Sequence, residues 1–429
     1  MNIAIFANNL TQRGVGNITT VQIALLTRHG VNVTLFTDNN IPYDLICWSD
    51  IKRLTIVRLP RVGTGAFQTV KWNSLWNKIK DYLSDDDLIY VSDMWYGLGV
   101  YASRNRIPSI ITVNMYWPLC HHEGLWYNHR PCEGCIWSIP YHRVPTKALD
   151  NVKLTGKFLK CLANHYSKNA KLTCYKYIYS MLKKIVIDYS IKYFDRIVAI
   201  SYAVKKKLLM KYPELHEKVA VINLGALLLP YEPPYIPPTD SDELRMLYMS
   251  APIEAKGIFH LIQAVKLALD MEPSLKLKLK IIGGKGNELV EKLTQSISTY
   301  VELYPWMPRQ VFLTKLQEII RDVDIVVIPS IWEDTWAGVT TLAMALGRPV
   351  LVHDGGALRE QVIDGVNGFR VNCLNVKEFA RRIIEISKID YSVLRGVGMR
   401  ARLVYLGKWA PGIVIQELIN VFKEVLRGY

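Results

Sequence analysis

The chain has 429 residues, which is long for a single core and sufficient for two domains of about 200 residues each. Half of the residues are hydrophobic and 21% are charged, as is typical of a folded globular protein, and no apolar run reaches the roughly 18 residues that span a bilayer. The formal net charge of +15 favours an anionic partner. Because no recognised nucleic-acid-binding motif accompanies this charge, we expect no nucleic-acid partner.

Strands and helices alternate along the first half, which indicates a mainly parallel sheet covered by helices. Residues 3–6 are predicted as a first strand rather than a signal peptide, so we expect a cytoplasmic protein. The loop at residues 8–17 contains Gly14 and Gly16, whose backbone amides could approach a ligand or could only form a tight turn. The other elements predicted in this half are a helix at 20–29 and strands at 31–37, 88–91, 107–113 and 197–201.

A proline-rich stretch, residues 227–243, separates the two halves and is predicted to be a semi-rigid linker. We therefore predict an N-terminal domain at residues 1–226 and a C-terminal domain at residues 244–408. Alternation resumes after the linker with strands at 246–250, 279–282 and 325–328 and helices at 258–269 and 309–321. An amphipathic stretch at 413–426 predicts a terminal helix.

The segment after the strand at 325–328 is the most informative part of the chain. Asp334 lies in the loop at the carboxyl end of this strand, and a helix that ends at Gly347 follows. Ligands of open parallel sheets bind at this edge, and the N-terminus of a helix suits a phosphate group. The alternative is that Asp334 only caps the helix.

This segment resembles the nucleotide-sugar-binding segment of the family 4 glycosyltransferases. The resemblance implies a GT-B fold: an α/β protein with two Rossmann-like domains facing a central cleft, and a C-terminal helix at 409–429 that crosses back to the N-terminal domain. It extends in order over nearly the whole chain, from the glycine loop after the first strand to Lys256-Gly257, Gly283-Gly284-Lys285-Gly286 and the turns between His353 and Gly368.

The resemblance also implies a donor site. Asp334 would accept hydrogen bonds from hydroxyls of the donor sugar, and Lys256 would neutralise the departing diphosphate, although a surface lysine is the alternative. The backbone amides that would hold the diphosphate belong to Trp336, Ala337 and Gly338. The glycines that would border the donor are Gly14, Gly16, Gly283 and Gly284. No cofactor is expected for catalysis, since the nucleotide sugar is a substrate.

The sequence departs from the family pattern at Ala251 and Leu342 and, compared with a subset of the family, at Asn114 and Met115. Ala251 stands where the family has an arginine, and Leu342 replaces a second acid, for which Thr340 or Thr341 would be a weaker substitute. Asn114 replaces a histidine near the reacting sugar, and it can donate a hydrogen bond but cannot carry a proton at neutral pH. Two hypotheses therefore stay open. The first is a retaining, metal-independent transferase with a glycan or lipid-linked acceptor, and the second is a degenerate protein that binds nucleotide or glycan without turnover.

Two further features lie in the segment 114–211. Cys132 and Cys135 have zinc-ligand spacing, and with Cys120 and Cys161 they could form a structural zinc site, a disulfide or a set of unliganded thiols. Residues 151–211 also carry 14 Lys or Arg and seven Tyr against two Asp. This pattern suits peripheral contact with an anionic membrane surface, at the inner face of the membrane, or else a solvated helical face.

Overall fold

A computed structural model describes residues 1–7, 10, 14–37, 40–59, 79–83, 87–92, 95–116, 118–120, 126–127, 130–132, 153, 155–161 and 170–429. The chain forms two compact units. The first comprises Met1–Tyr127, Cys132–Pro230 and Val414–Tyr429, and the second comprises Asn128–Pro131 and Tyr231–Ile413. Among the helices in these ranges, none is long and apolar enough to cross a membrane.

Among the described residues before residue 222, the strands are β1 (Asn2–Phe6), β2 (Asn32–Thr37), β3 (Leu54–Arg58), β4 (Leu88–Val91), β5 (Ser109–Val113), the short β6 (Trp126–Tyr127) and β7 (Arg130–Pro131), β8 (Arg196–Ala199) and β9 (Val219–Val221). Seven of these strands form the parallel sheet of the first unit, in the order β3-β2-β1-β4-β5-β8-β9. Every residue of β4 and β5 is buried, as expected for parallel strands covered on both faces. The described helices of the first unit include α1 (Gly14–Arg28), α2 (Tyr43–Trp48), α3 (Gly97–Arg104), α4 (Ala170–Ser190) and α5 (Tyr202–Lys211).

The second unit contains a six-stranded parallel sheet. Its strands are β10 (Leu244–Tyr248), β11 (Leu277–Lys285), β12 (Val301–Pro305), β13 (Ile325–Ile328), β14 (Val350–His353) and β15 (Phe369–Val371). They lie in the order β12-β11-β10-β13-β14-β15. Its helices are α6 (Ile258–Met271), α7 (Glu288–Thr294), α8 (Arg309–Arg321), α9 (Gly338–Ala345), α10 (Leu358–Gln361), α11 (Val376–Ser387) and α12 (Tyr391–Lys408).

The last helix, α13 (Pro411–Arg427), begins in the second unit, and its residues from Val414 onward belong to the first. Phe422 of α13 is fully buried and packs edge-to-face on Tyr90 of β4, with ring centroids 5.2 Å apart. The apolar side of this terminal helix therefore contributes to the core of the first unit.

One predicted boundary is wrong at a place that matters for the site. Helix α1 begins at Gly14 rather than at residue 20, so Gly14 and Gly16 lie in its first turns and not in a loop. The Thr20 hydroxyl donates to the Gly16 carbonyl (2.9 Å), which supports this turn. Glycine is a poor predictor of helix in sequence, and burial of the adjoining apolar residues overrides its low propensity here.

Arginines of the second unit hold the proline-rich stretch through its carbonyl groups. Proline lacks an N–H, so this stretch cannot pair its own backbone as a helix or central strand does, and its carbonyls accept from outside. The four donor–acceptor pairs are Arg402 to Pro233 (3.1 Å), Arg348 to Ile236 (2.6 Å), Arg395 to Pro238 (2.7 Å) and Arg245 to Thr239 (2.5 Å). The linker is thus fixed to the second unit over residues 233–239.

Arg348 is the most buried of these arginines, with no exposed surface, and burial lowers its pKa to about 10. Its guanidinium also donates to the carbonyls of Val323 (2.7 Å) and Ile320 (2.8 Å). Arg348 therefore joins the end of α8, the start of β13 and the linker.

Replacing Arg348 with methionine should lower the free energy of unfolding by about 3 kcal/mol or more, because several buried carbonyls would lose their donor at once. Arg381→Met is the matched control, since Arg381 is exposed on α11. Urea denaturation of both variants measures the difference, and equal midpoints would contradict this role for Arg348.

Candidate functional site

The order of the second sheet brings two distant loops together. Strand β10 pairs in parallel with β13, so the loops after these strands leave the same edge of the sheet. The loop after β10 carries Lys256, and the loop after β13 carries Asp334. These residues are 78 positions apart in sequence and were predicted separately.

Lys256 and Asp334 form an ion pair. The Lys256 Nζ donates to both carboxylate oxygens of Asp334, at 2.8 and 3.2 Å. The Asp334 side chain is only 3% exposed, and that of Lys256 is 24% exposed. The Lys256 Nζ also lies 4.5 Å from the centre of the Trp332 ring, a cation–π contact. Lys256 is therefore ion-paired and partly buried.

Glycine geometry fixes the backbone that carries Lys256. Gly257 follows it with a φ of +72°, which ends the short 3-10 helix Glu254–Lys256. A Cβ at Gly257 would lie 1.9 Å from the Pro329 carbonyl oxygen, so no larger residue fits without movement. In addition, the amides of Ile331 and Trp332 donate to the Ala255 carbonyl at 3.1 and 3.3 Å. The two loops are thus packed backbone to backbone.

A third loop holds the backbone of Asp334. The Ala357 amide donates to the Asp334 carbonyl (2.9 Å), and Gly356, with a φ of +52°, approaches so closely that a Cβ there would lie 2.7 Å from the Asp334 amide nitrogen. Helix α9 has Ala337 as its N-cap and no side-chain capping bond. Asp334 therefore does not cap this helix, and the alternative role considered for it is wrong.

The start of α9 lies directly after Asp334. The first amides of a helix have no partner within the helix, and they give its N-terminus a partial positive charge. Of the three predicted amides, that of Ala337 is oriented toward the Gln361 Oε1 at 3.4 Å, and the Gln361 Nε2 donates back to the Ala337 carbonyl (3.1 Å). Trp336 is buried and its ring meets Trp409 edge-on at 5.4 Å. Gln361 and Trp409 therefore shape this helix end.

Two threonines differ in what they can offer a ligand. The Thr341 hydroxyl donates to the Gly338 carbonyl (2.8 Å) and is used by the helix itself. The Thr340 hydroxyl is fully buried and has no hydrogen-bond partner among the described residues. Leu342, which stands where the family has its second acid, is buried in the same helix and packs in the core.

The glycine pair at the end of β11 lies on the same unit. Gly283 has a φ of +84°, and a Cβ there would come within 3.2 Å of the Trp306 ring and 3.3 Å of Pro252. Trp306 is 45% exposed and follows β12, the neighbouring strand. Sequence reasoning did not single out Trp306, because it predicted no strand at residues 301–305 whose end would have marked this aromatic residue.

In the first unit, Asn114 follows β5 and is 1% exposed. Its side-chain amide donates to the Ser92 carbonyl (2.8 Å), while its Oδ1 has no partner among the described residues. The Ser92 hydroxyl lies 2.7 Å from that of Thr19 on α1, the helix that contains Gly14 and Gly16. Asn114 is therefore part of a buried polar cluster at the ends of β4 and β5, whose members Ser92 and Thr19 the sequence did not reveal.

His353, at the end of β14, has a structural role. Burial lowers its pKa, so the ring is neutral at neutral pH, and its Nδ1 accepts the amide of Cys373 (3.1 Å). This bond joins β14 to the turn after β15. It leaves the Nε2 as the protonated ring nitrogen.

The predicted zinc ligands are only partly described. Cys120 and Cys161 are buried and Cys132 is half-buried, while Cys135 lies outside the described residues. Within the described ranges, no group of three or more His, Cys, Asp or Glu side chains is arranged to hold a metal ion. The structure therefore gives no support for the predicted zinc site.

Comparison with known proteins finds a sequence-family match within the second unit and a similarity of fold over nearly the whole chain. Residues 243–388 match the family described as Glycosyl transferases group 1. A D-inositol 3-phosphate glycosyltransferase from Streptosporangium roseum is 28% identical over 205 residues, which cover 44% of this chain and 46% of that protein. The chain thus spans about half the length of the curated relatives it matches.

Solved structures match over nearly the full length at low identity. A glycosyltransferase from Rickettsia africae has a TM-score of 0.65 at 14% identity, with 100% of this chain and 99% of that chain covered. Anabaena HepE, solved in complex with UDP, has a TM-score of 0.64 at 14% identity, with 99% and 100% covered. These likenesses confirm the predicted α/β fold with two Rossmann-like units.

Replacing Gly257 with alanine should lower the free energy of unfolding by about 3 kcal/mol, because the new Cβ would collide with the Pro329 carbonyl and also occupy left-handed backbone space. Gly286→Ala is the control: Gly286 has a φ of +85°, and a Cβ there would have no atom within 4 Å. That control should cost about 1 kcal/mol. Denaturation curves that move equally for both variants would show that the contact with Pro329 is unimportant.

Proposed function

Because residues 243–388 of this protein match the family described as Glycosyl transferases group 1, we propose that it transfers a sugar from a nucleotide-sugar donor to an acceptor hydroxyl. The donor would bind to the second unit. The observation that carries this proposal is the pairing of Lys256 with the buried Asp334 beside the start of α9.

The diphosphate of the donor would bind between Lys256 and the first turn of α9. Both features supply positive charge at a site where solvent is partly excluded, which strengthens their attraction for an anion. As the bond between the sugar and the phosphate breaks, negative charge grows on the leaving phosphate oxygen. A fixed ammonium and oriented amides stabilise that charge more than they stabilise the bound donor, which is how they would increase the rate.

Asp334 would position the sugar. Its carboxylate can only accept hydrogen bonds when ionised, and sugar hydroxyls are donors. Placing a phosphate close to a buried carboxylate would normally be unfavourable, but the three N–H donors of Lys256 allow this one side chain to bind both anions. The ion pair therefore keeps a carboxylate available for the sugar without repelling the diphosphate.

Thr340 would take part in binding the nucleoside. Its hydroxyl, buried and unpartnered among the described residues, lies in the first turn of α9, two positions before Leu342. A hydroxyl can donate to and accept from a ribose hydroxyl, although more weakly than a carboxylate would. The structural neighbour HepE was solved in complex with UDP, which supports a ligand that contains a nucleoside diphosphate here.

The reaction would retain the configuration at the anomeric carbon. The acceptor oxygen would bond to that carbon on the face that the leaving phosphate departs from, and the acceptor proton would pass to the leaving phosphate oxygen. Lys256 and α9 would supply the positive charge for this step without a metal ion. Asn114 has no group that could take this proton at neutral pH.

The acceptor would be a glycan or a lipid-linked molecule at the cytoplasmic face of a membrane. The positively charged segment 151–211 supports this part of the proposal, since an anionic surface attracts a basic one. A protein named for an inositol phosphate acceptor among the relatives is consistent with an anionic acceptor.

Binding without turnover is the second candidate function. One observation favours it: two residues of the family pattern are replaced. Ala251 stands in place of the arginine, so Lys256 is the single cation that remains, and Leu342 stands in place of the acid that would bind the ribose. In that case the second unit would still bind a nucleotide sugar, and the products of transfer would not form.

Lys256→Met should lower the turnover number by about 100-fold or more, because the charge on the leaving diphosphate would lose its ammonium. Lys292→Met is the matched control, since Lys292 is exposed on α7, and it should leave turnover unchanged. Single-turnover assays with UDP, GDP and ADP sugars measure the rate, and calorimetry measures binding.

The same experiment separates the two functions. Unchanged turnover in Lys256→Met would contradict the proposed role of the lysine. Tight binding of a nucleotide sugar by the wild type, with no product from any acceptor, would instead favour the binding protein.

The stereochemistry and metal dependence can be tested on the product. We expect proton NMR to show the same anomeric configuration in donor and product, and EDTA to leave the rate unchanged, because fixed protein charges stabilise the leaving group. An inverted product, or activity lost with EDTA and restored by Mg²⁺, would contradict the mechanism.

A further inference from the structure

Helix α4 presents an apolar stripe to solvent. Within its described side chains, four large residues point outward: Ile178, Leu182, Ile185 and Tyr189 are 57%, 46%, 47% and 47% exposed. Their spacing of four, three and four positions places them on one face of the helix. The stripe is about 16 Å long, since a helix rises about 1.5 Å per residue.

The opposite face of α4 is held by a buried charge network. Asp188, which is the single acid in the sequence of α4, accepts from Lys184 and Tyr212 and forms an ion pair with Lys211 at 2.8 Å. Lys211 also donates to the Pro118 carbonyl. These contacts fix the rotation of the helix, so the apolar stripe faces solvent rather than turning into the core.

Cations border the stripe. Lys192 lies 5.2 Å from the centre of the Tyr189 ring and is exposed. The pKa of Tyr189 is lowered, first by its hydrogen bond with Tyr193 and then by the charges of Arg104 and Lys192, which places both cations beside the end of the stripe. Because Asp188 is engaged on the buried side, α4 offers no acid on this face.

We infer that this face of α4, together with Arg104 and Lys192, docks onto the surface of an anionic lipid bilayer. Apolar residues with cations at the border are what a helix lying in the bilayer interface requires: the side chains enter the acyl boundary and the cations meet lipid phosphates. The inference deepens the proposed function, because it rests on the membrane-near acceptor proposed above and names the surface that would reach it.

Charge argues for a bilayer over a second copy of the chain. In a symmetric dimer the stripe meets its own copy. Parallel α4 helices would bring the Arg104 and Lys192 side chains of both copies together, where like charges repel, and antiparallel helices would set these cations against the apolar residues of the other copy, with no acid of α4 on this face to pair with. The phosphates of anionic lipids, in contrast, neutralise both cations.

The test is the binding of the full chain to vesicles made of equal parts phosphatidylcholine and phosphatidylglycerol, measured by cosedimentation. The double variant L182Q/I185Q should bind at least about tenfold more weakly than the wild type, since two apolar side chains would no longer enter the interface. The matched control is V393Q/L403Q, whose residues are 54% and 64% exposed on α12 of the second unit, and it should bind as the wild type does.

Changes in charge and in salt concentration complete the test. R104E/K192E should also weaken binding, pure phosphatidylcholine vesicles should bind poorly, and high salt should release the wild type. Equal binding by wild type and L182Q/I185Q would overturn the inference. The inference would also be overturned if the wild type were a dimer that does not bind vesicles and that dissociates when the stripe is mutated.

The outcome is distinguishable from failure of the proposed function. Transfer to a soluble acceptor should be the same in wild type and L182Q/I185Q, because the stripe is outside the proposed donor site. Absent transfer with intact vesicle binding would contradict the proposed function and leave the docking surface standing.

Discussion

The ion pair between Lys256 and Asp334 is the interaction on which the proposed site depends. A carboxylate that is 3% exposed is unfavourable unless a cation and hydrogen bonds compensate for its lost hydration. Lys256 supplies both, and it keeps enough exposure, 24%, to reach a second anion. A ligand that carries hydroxyls and a diphosphate is complementary to this pair, because the hydroxyls can donate to Asp334 and the diphosphate can accept from Lys256.

The parallel sheet makes this pair possible. Strand β10 lies beside β13 although 76 residues separate the end of one from the start of the other. Gly257 and Gly356 then allow three loops to touch through their backbones, where a side chain would intervene. The linker is bound to the same unit through its carbonyls, so the sheet, the loops of the site and the linker are held together by direct contacts.

Sequence alone predicted the strands and helices that have a strong local pattern. Residues 325–328 form a continuous apolar run, and residues 309–321 follow a proline with helical periodicity, and both elements have the predicted bounds. The start of α1 was missed because its glycines indicate a loop locally, and tertiary burial overrode that preference. Asp334 and Lys256 were each predicted, but their contact depends on strand order, which no local pattern contains. The sequence offered Thr340 and Thr341 equally, and packing shows that the Thr341 hydroxyl is used by its own helix. Trp306 and the arginine contacts to the linker also depend on packing.

A crystal structure of the chain with a nucleoside diphosphate sugar would show whether the Lys256–Asp334 pair binds both the diphosphate and the sugar. The distance to measure is that between the Lys256 Nζ and the nearest phosphate oxygen. We expect a hydrogen bond of about 2.8 Å there, with the sugar hydroxyls bound to Asp334 and the diphosphate against the first turn of α9. A bound donor whose phosphates lie away from Lys256, with the Lys256–Asp334 pair unchanged, would contradict it.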